Sequence, residues 1–247
     1  MIKLVAIGDV HAAFDKLWAA LRAASAVDNQ GRPTPALSEG RIRVVLLGDL
    51  VHPKTQTAYA ELTGLADYDF TNPAHLKAAA RAQVAELLRL KQFVAEAGGN
   101  VVVLRGNHDH AAVHHDVLLG NAHGIEHREF DPHYGGIPLP PGLADWILAF
   151  PSEYELAGVH LAHVGPLPWM NTYDAFFYQS DDAKTWWQRT PDYVARAGYR
   201  LGIYGHTSVE EILVDEAHGL VLADALERNQ FFEVFLGDEL RYRVVRF

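Results

Sequence analysis

The 247-residue sequence predicts an α/β fold, and three short apolar runs carry that expectation. Leu4-Val5-Ala6-Ile7, Val44-Val45-Leu46-Leu47 and Val101-Val102-Val103-Leu104 are rich in β-branched residues, do not alternate with polar ones, and stop at or near a glycine. Strands covered on both faces read this way. Helical patterns fall between the runs. Strand, helix, strand, helix, strand implies right-handed crossovers and a largely parallel sheet in the N-terminal half.

The first helix is read from Phe14, Leu17, Trp18 and Leu21, which share one face at helical periodicity. The second is bounded by Asn72 as N-cap with Pro73 in its first turn and by Gly98-Gly99-Asn100 at its end. Its apolar stripe is expected from Val84, Leu87, Leu88 and Val94. The second half is richer in strands: residues 159–162, 201–204, 211–214, 220–223, 231–236 and 241–245. One helix interrupts them, starting at Thr190-Pro191 and ending at Gly198, and the Pro- and Gly-rich stretch 131–142 reads as a long surface loop. No repeat or linker divides the chain, so residues 1–247 are expected to form a single domain.

Hydrophobic residues make up 49% and charged residues 21%, a globular balance that can bury a sizeable core. A net charge of −10 argues against a broad nucleic-acid-binding role. With no cysteine, disulfides, thiolate metal sites and a cysteine nucleophile are excluded. Fourteen histidines supply ample nitrogen ligands instead. No stretch is long enough to span a bilayer, and the N-terminal apolar run is too short for a signal peptide. A cytoplasmic protein without a membrane partner is expected.

The chemistry follows the strands. Gly8-Asp9-Val10-His11 comes after the first, Gly48-Asp49 after the second, and Arg105-Gly106-Asn107-His108-Asp109 after the third. Loops at the carboxyl ends of neighbouring parallel strands converge on one crevice, so Asp9, His11, Asp49, Asn107 and His108 should meet in space. Later, Ala162-His163-Val164-Gly165 and Tyr204-Gly205-His206-Thr207 each place a histidine just past a predicted strand. Carboxylate, imidazole and amide oxygen without sulfur suit manganese, iron, nickel or zinc. Such ligands with a shared carboxylate can hold two ions about 3.5–4 Å apart.

Asp-x-His, Gly-Asp, Gly-Asn-His-Asp, His-x-Gly and Gly-His-Thr, in that order, resemble the calcineurin-like metallophosphoesterase superfamily. Leu104-Arg105-Gly106-Asn107-His108-Asp109 is similar to its phosphoprotein-phosphatase branch, which also contains diadenosine-polyphosphate hydrolases. The resemblance runs from residue 4 to about residue 226, with Trp146-Ile147-Leu148, Pro151 and Gly165-Pro166 in matching places. It implies two packed mixed sheets flanked by helices on both outer faces. It also implies that Asp9 and His11 bind a first divalent ion, that Asp49 bridges, and that Asn107, His163 and His206 bind a second. Manganese is foremost, with iron, zinc or nickel as alternatives. His160 competes with His163, but Gly165-Pro166 favours His163, and three residues along a strand put the two on opposite faces.

By the same resemblance His108 acts as general acid or phosphate donor. Relatives follow the bridging Asp with Val-Asp-Arg-Gly, where this chain has Val51-His52-Pro53-Lys54. The residue that orients the catalytic histidine and the arginine that grips phosphate are therefore both replaced. His52, Lys54 and Arg189, the last in Trp186-Trp187-Gln188-Arg189, are the candidate substrate contacts. Gly205-His206-Thr207-Ser208 lacks the second histidine of Gly-His-x-His, as that branch does, leaving the first ion three protein ligands.

The expected reaction is hydrolysis of a phosphomonoester, on a phosphoprotein or a small molecule, by a hydroxide bridging the two ions. The runner-up is hydrolysis of a nucleotide or dinucleoside polyphosphate, motivated by the missing arginine and by the aromatic run Trp169, Tyr173, Phe176, Phe177 and Tyr178. A non-catalytic interaction scaffold would have lost ligands, and all six positions are filled. His110, His114, His115, His123, His127 and His133 are expected mostly at exposed helix and loop positions.

Overall fold

The computed structural model describes residues 1–121, 123–165 and 180–247. Two five-stranded mixed sheets pack face to face. The first contains β1 (Ile2–Ile7), β2 (Ile42–Leu46) and β3 (Val101–Val103), joined at one side by β9 (Gln230–Leu236) and β10 (Arg241–Arg246) in the order β10-β9-β1-β2-β3. The second contains β4 (Glu153–Leu156), β5 (Val159–Ala162), β6 (Leu201–Ser208), β7 (Leu213–Asp215) and β8 (Leu220–Asp224) in the order β4-β5-β6-β8-β7. Each sheet has a parallel centre, β1-β2-β3 in one and β5-β6-β8 in the other, with antiparallel strands outside it. Carboxyl ends therefore gather in each sheet.

Alternation along the strands makes the layers. Leu4 and Ala6 of β1 face the second sheet and pack with Leu161, Ile203 and Val221. Val5 and Ile7 point the other way, onto helices. Those helices are α1 (Phe14–Ala23), α4 (Pro73–Glu96), α5 (Asn107–His114) and α6 (Pro141–Leu148), with the smaller α2 (Pro35–Ser38) and α3 (Gln56–Thr63) among them. The outer face of the second sheet is covered by α7 (Asp181–Arg189) and α8 (Tyr193–Arg196), whose Ala183, Trp186, Tyr193 and Val194 pack on Ala162, Tyr204 and Leu222. Burial on both sides of both sheets explains why their central strands read as continuous apolar runs.

Most strand expectations hold to within two residues. Three others need correction. The buried face of α4 runs through Leu76, Ala80, Gln83, Leu87 and Leu90; of the expected stripe Leu87 is buried and Val84 and Val94 pack half-buried on the core, but Leu88 is 53% exposed. β4 was missed because its Glu-Tyr-Glu-Leu sequence is a half-exposed edge that, among the described residues, pairs only with β5. The helix expected from Thr190-Pro191 shrinks to α8, and the larger helix lies before it, opened by Ser180, whose side chain accepts the Ala183 amide. Among the described residues no helix is long and apolar enough to cross a membrane.

Candidate metal centre

Six of the side chains singled out from sequence meet where the two sets of strand ends face each other. Asp9 and His11 follow β1, Asp49 follows β2, Asn107 opens α5 after β3, His163 follows β5, and His206 lies in β6. All six are buried or nearly so. The backbone is bent to aim them. His11, Asp49 and His206 have φ of 43°, 48° and 59°, left-handed values that non-glycine residues adopt at a cost. His206 sits where the pairing of β6 with β8 shifts register between Tyr204 and Ser208, a bulge that turns its side chain toward the crevice. Hydrogen bonds lace the loops together: the Val10 and His11 amides donate to the Asp49 carbonyl, and the Ala12 amide to that of Leu50.

Two glycines permit the approach. A Cβ on Gly106 would overlap the Asp49 carboxylate, and one on Gly205 would overlap that of Asp9. Both positions bring main chain against a ligand, which no larger residue allows.

Asp49 is the hub. Its Oδ1 accepts the His108 amide at 2.8 Å, which leaves Oδ2 between two imidazoles, 3.6 Å from His11 Nε2 and 3.4 Å from His163 Nε2. On one side, Asn107 Oδ1 lies 3.0 Å from both His163 Nε2 and His206 Nδ1, and those two nitrogens are 3.2 Å apart. On the other, Asp9 Oδ2 lies 3.9 Å from His11 Nε2. The His206 amide clamps Asp9 by donating to both carboxylate oxygens.

The tautomers are set by main chain. His163 Nδ1 faces the Leu47 carbonyl at 2.8 Å and His11 Nδ1 the His52 carbonyl at 3.0 Å. A carbonyl only accepts, so each Nδ1 carries hydrogen, and each ring in its neutral form would turn an Nε2 lone pair to the crevice, the arrangement of a metal-ligating histidine.

This donor set fits metal ions. Nitrogen and oxygen ligands about 2.1 Å from a common ion are roughly 3.0–3.5 Å from one another. Asp49 Oδ2, Asn107 Oδ1 and His206 Nδ1 lie 3.4, 3.0 and 3.2 Å from His163 Nε2, which is that spacing. Carboxylate, imidazole and amide without sulfur suit a borderline or hard divalent ion. Asp49, His163 and His206 form one metal-capable group, and His11, Asp49 and His108 a second that shares Asp49.

Electrostatics without a metal show what one would replace. Burial and the neighbouring Asp224 push Asp9 well above the usual carboxylate range. Burial also works to raise Asp49, but His163 and His108 outweigh it and hold that carboxylate well below the range. Burial opposes protonation of His163, yet Asp49 and Asp9 lift it to about 10. Burial lowers His11 to about 4 and, with the His163 charge, His206 to about 3.

A cavity of about 560 Å³ opens over the centre, lined by His11, Asp49, Asn107, His108, His206 and Asp224, with Lys54 and Lys184 on its walls. His108 shares a 3.0 Å contact between its Nδ1 and that of His52. His52, at φ 69°, takes up the position from which it can orient His108, and it stacks on His127 with ring centroids 4.6 Å apart. Burial is the main force holding both His52 and His108 well below ordinary histidine, and mutual repulsion among the histidines adds to it.

A protein-family model described as calcineurin-like phosphoesterase matches residues 2–226. The chain belongs to that family. Comparison of the sequence with curated proteins finds no match. The chain is similar in fold to a cold-active protein-tyrosine phosphatase of a psychrophilic Shewanella species, at 15% identity and TM-score 0.59 over 100% of this chain and 81% of that one. It is similar to a protein serine/threonine phosphatase from Saccharomyces cerevisiae, at 13% identity and TM-score 0.54 over 99% and 80%. A putative diadenosine tetraphosphatase matches at 14% identity and TM-score 0.50 over 98% and 93%. The family is metal-dependent, and the residues gathered on Asp49 are able to hold the ions.

The candidate substrate contacts fare differently. Lys54 reaches the cavity, but its ammonium is taken by both Asp224 oxygens, at 3.0 and 3.2 Å, and by Ser208 Oγ at 3.0 Å. Arg189 is absent from the cavity lining; it lies exposed on α7 and pairs with Asp182. His52 is 3% exposed behind His108 and lines only a small neighbouring cavity. His160 turns away, to Glu153 and Tyr204. His127, expected at the surface, is buried with Nδ1 against the Tyr59 hydroxyl, which also donates to buried Glu129. The run Trp169, Tyr173, Phe176, Phe177 and Tyr178 lies outside the described residues.

Sequence reasoning missed Asp224 and Lys184. Asp224 ends Leu220-Val221-Leu222-Ala223, the same signal of an apolar run followed by Asp that marked Asp9 and Asp49. Lys184 carries no such signal; it is one lysine on an exposed helix.

Proposed function

We propose that this phosphoesterase hydrolyses phosphomonoesters with two divalent ions, manganese foremost, in the manner of a protein serine/threonine phosphatase. The observation that carries the reading is the convergence of two metal-capable groups on the single carboxylate of Asp49, at the floor of an open cavity. Bound ions would lower the pKa of an attacking water and neutralise the phosphoryl oxygens. Asp9 and His11 would hold one ion, Asn107, His163 and His206 the other, and Asp49 both.

The remaining steps belong to side chains. When His108 Nδ1 accepts from His52 Nδ1, a neutral His108 carries its hydrogen on Nε2. Nε2 is then the atom that donates to a phosphoryl oxygen or gives a proton to the leaving oxygen. His52 holds the ring in that sense, and its own amide is fixed by Gln83 Oε1 at 2.8 Å. Asp109 accepts the Leu50 and Gly106 amides and so keeps the loops after β2 and β3 in register.

A monoester is favoured over a dinucleoside polyphosphate because, among the described residues, no Phe, Tyr or Trp lines the cavity to stack on a base. Turnover of metal-reconstituted protein on p-nitrophenyl phosphate, a phosphopeptide and a diadenosine polyphosphate tests this. Hydrolysis of the first two and not the third is expected. Exclusive activity on the third would reverse the assignment.

A further inference from the structure

We infer that Lys184 is the cation that grips the substrate's phosphate, taking the task of the missing arginine; this rests on the proposed phosphoesterase reading. Among the described residues two lysines, Lys54 and Lys184, line the cavity. The Lys54 ammonium already meets three acceptors, and it is bound to a carboxylate that is only 4% exposed. Turning it to a phosphate would strand Asp224 as a buried unpaired charge, which is strongly destabilising. Lys54 therefore serves the protein.

Lys184 is placed differently. Among the described residues no ion pair or hydrogen bond engages its ammonium. Its main chain is fixed. The Lys184 carbonyl accepts Thr207 Oγ1 at 3.1 Å, one residue past His206. Two residues along α7, the indole Nε1 of Trp186 donates to the Val164 carbonyl at 2.9 Å, one residue past His163. The same indole lies so close to Gly165 that a Cβ there would overlap it. The helix is thus pinned to both strand ends that carry His163 and His206. A flexible stem on a fixed anchor brings an uncommitted positive charge to the wall above His206. A dianionic phosphate on the floor would be its natural partner. Arg189, five residues on, leaves the helix toward Asp182 and cannot substitute.

The test uses the manganese-loaded full chain with Lys184→Gln and Lys184→Arg. Lys184 is exposed, so neither change should disturb folding. Inorganic phosphate is titrated calorimetrically, and kcat and KM are measured on p-nitrophenyl phosphate. Lys184→Gln should weaken phosphate binding and raise KM roughly tenfold, with metal content unchanged, the scale of one charge-assisted hydrogen bond. Lys184→Arg should restore most of both. The wild-type advantage should shrink at about 1 M salt, where an exposed charge is screened within about 3 Å. Equal phosphate affinity in wild type and Lys184→Gln overturns the assignment. Failure of the wild type to hydrolyse any phosphoester would instead sink the phosphoesterase reading, and phosphate binding would still decide Lys184.

Discussion

The floor of the cavity and its rim are built on different physics. On the floor, Asp9, Asp49 and His163 are 1%, 2% and 0% exposed, and hydrogen bonds from main chain or to it fix them. Buried polar groups must be satisfied, so the strand ends that supply those partners dictate the arrangement. At the rim, Lys184 and Arg189 are exposed residues on one helix, and only helix phase decides which meets the cavity. The floor should therefore be intolerant of change, and the rim should respond one residue at a time.

The harshest test of that contrast is Asp49→Asn. The shared carboxylate belongs to both groups, and two ions held there would together contribute several kcal/mol to stabilising the transition state. A loss of at least roughly 10³ in kcat is expected, with metal content falling below two ions per chain. Full metal occupancy and activity in this variant would mean that Asp49 is not the hub.

Protonation gives the next largest effect. Without a metal, His163 is lifted to about 10, above the ordinary histidine value of about 6.5. A raised histidine stabilises the fold fully below about 6.5, and that contribution is lost as pH rises toward about 10. An ion must displace the same proton. At pH 8 about one proton should be released per ion bound among Asp49, Asn107, His163 and His206, seen calorimetrically in buffers of different ionisation enthalpy. Affinity should then rise up to about tenfold per pH unit. Binding that releases no proton at pH 8 would show that His163 is not a ligand.

The floor itself is uneven. Around Asn107, His163 and His206 the spacings are 3.0–3.4 Å, whereas His11 stands 3.6 and 3.9 Å from its carboxylates. Four protein ligands against three should make the former group bind roughly tenfold more tightly. His206→Ala should then abolish the tight phase of a metal titration and His11→Ala the weak one. The opposite pattern would invert the order of the groups.

How much of this could be read from the chain follows the same division. Asp9, Asp49 and Asn107 each follow an apolar run that could only be a doubly covered strand, so parallel pairing brought them together before any contact was known. His163 was separated from His160 by strand alternation. Asp224 carries the same mark, an apolar run ending in a carboxylate. By contrast, the choice between Lys184 and Arg189 depends on which side of α7 faces β6, which Trp186 settles by burying its indole against Gly165. Nothing local to a surface lysine records that. The burial of His127 is likewise a tertiary fact: His52, Tyr59 and Glu129 arrive from distant positions to enclose it.

The smallest expected effect is the one that isolates the rim. Arg189 is 59% exposed, and among the described residues it pairs with Asp182, itself 63% exposed. Such a surface pair contributes about 0–1 kcal/mol. Arg189→Ala should leave KM for p-nitrophenyl phosphate within about twofold of wild type, because RT ln 2 is only about 0.4 kcal/mol and no contact with the cavity is lost. The neighbouring Lys184→Gln is expected to act about tenfold on the same constant. Both residues carry one positive charge on the same helix, so net charge and long-range attraction change equally in the two variants. A difference between them can come only from where each side chain points. Should Arg189→Ala raise KM as much as Lys184→Gln, the rim would be acting through its overall field, and the single contact assigned to Lys184 would dissolve into it.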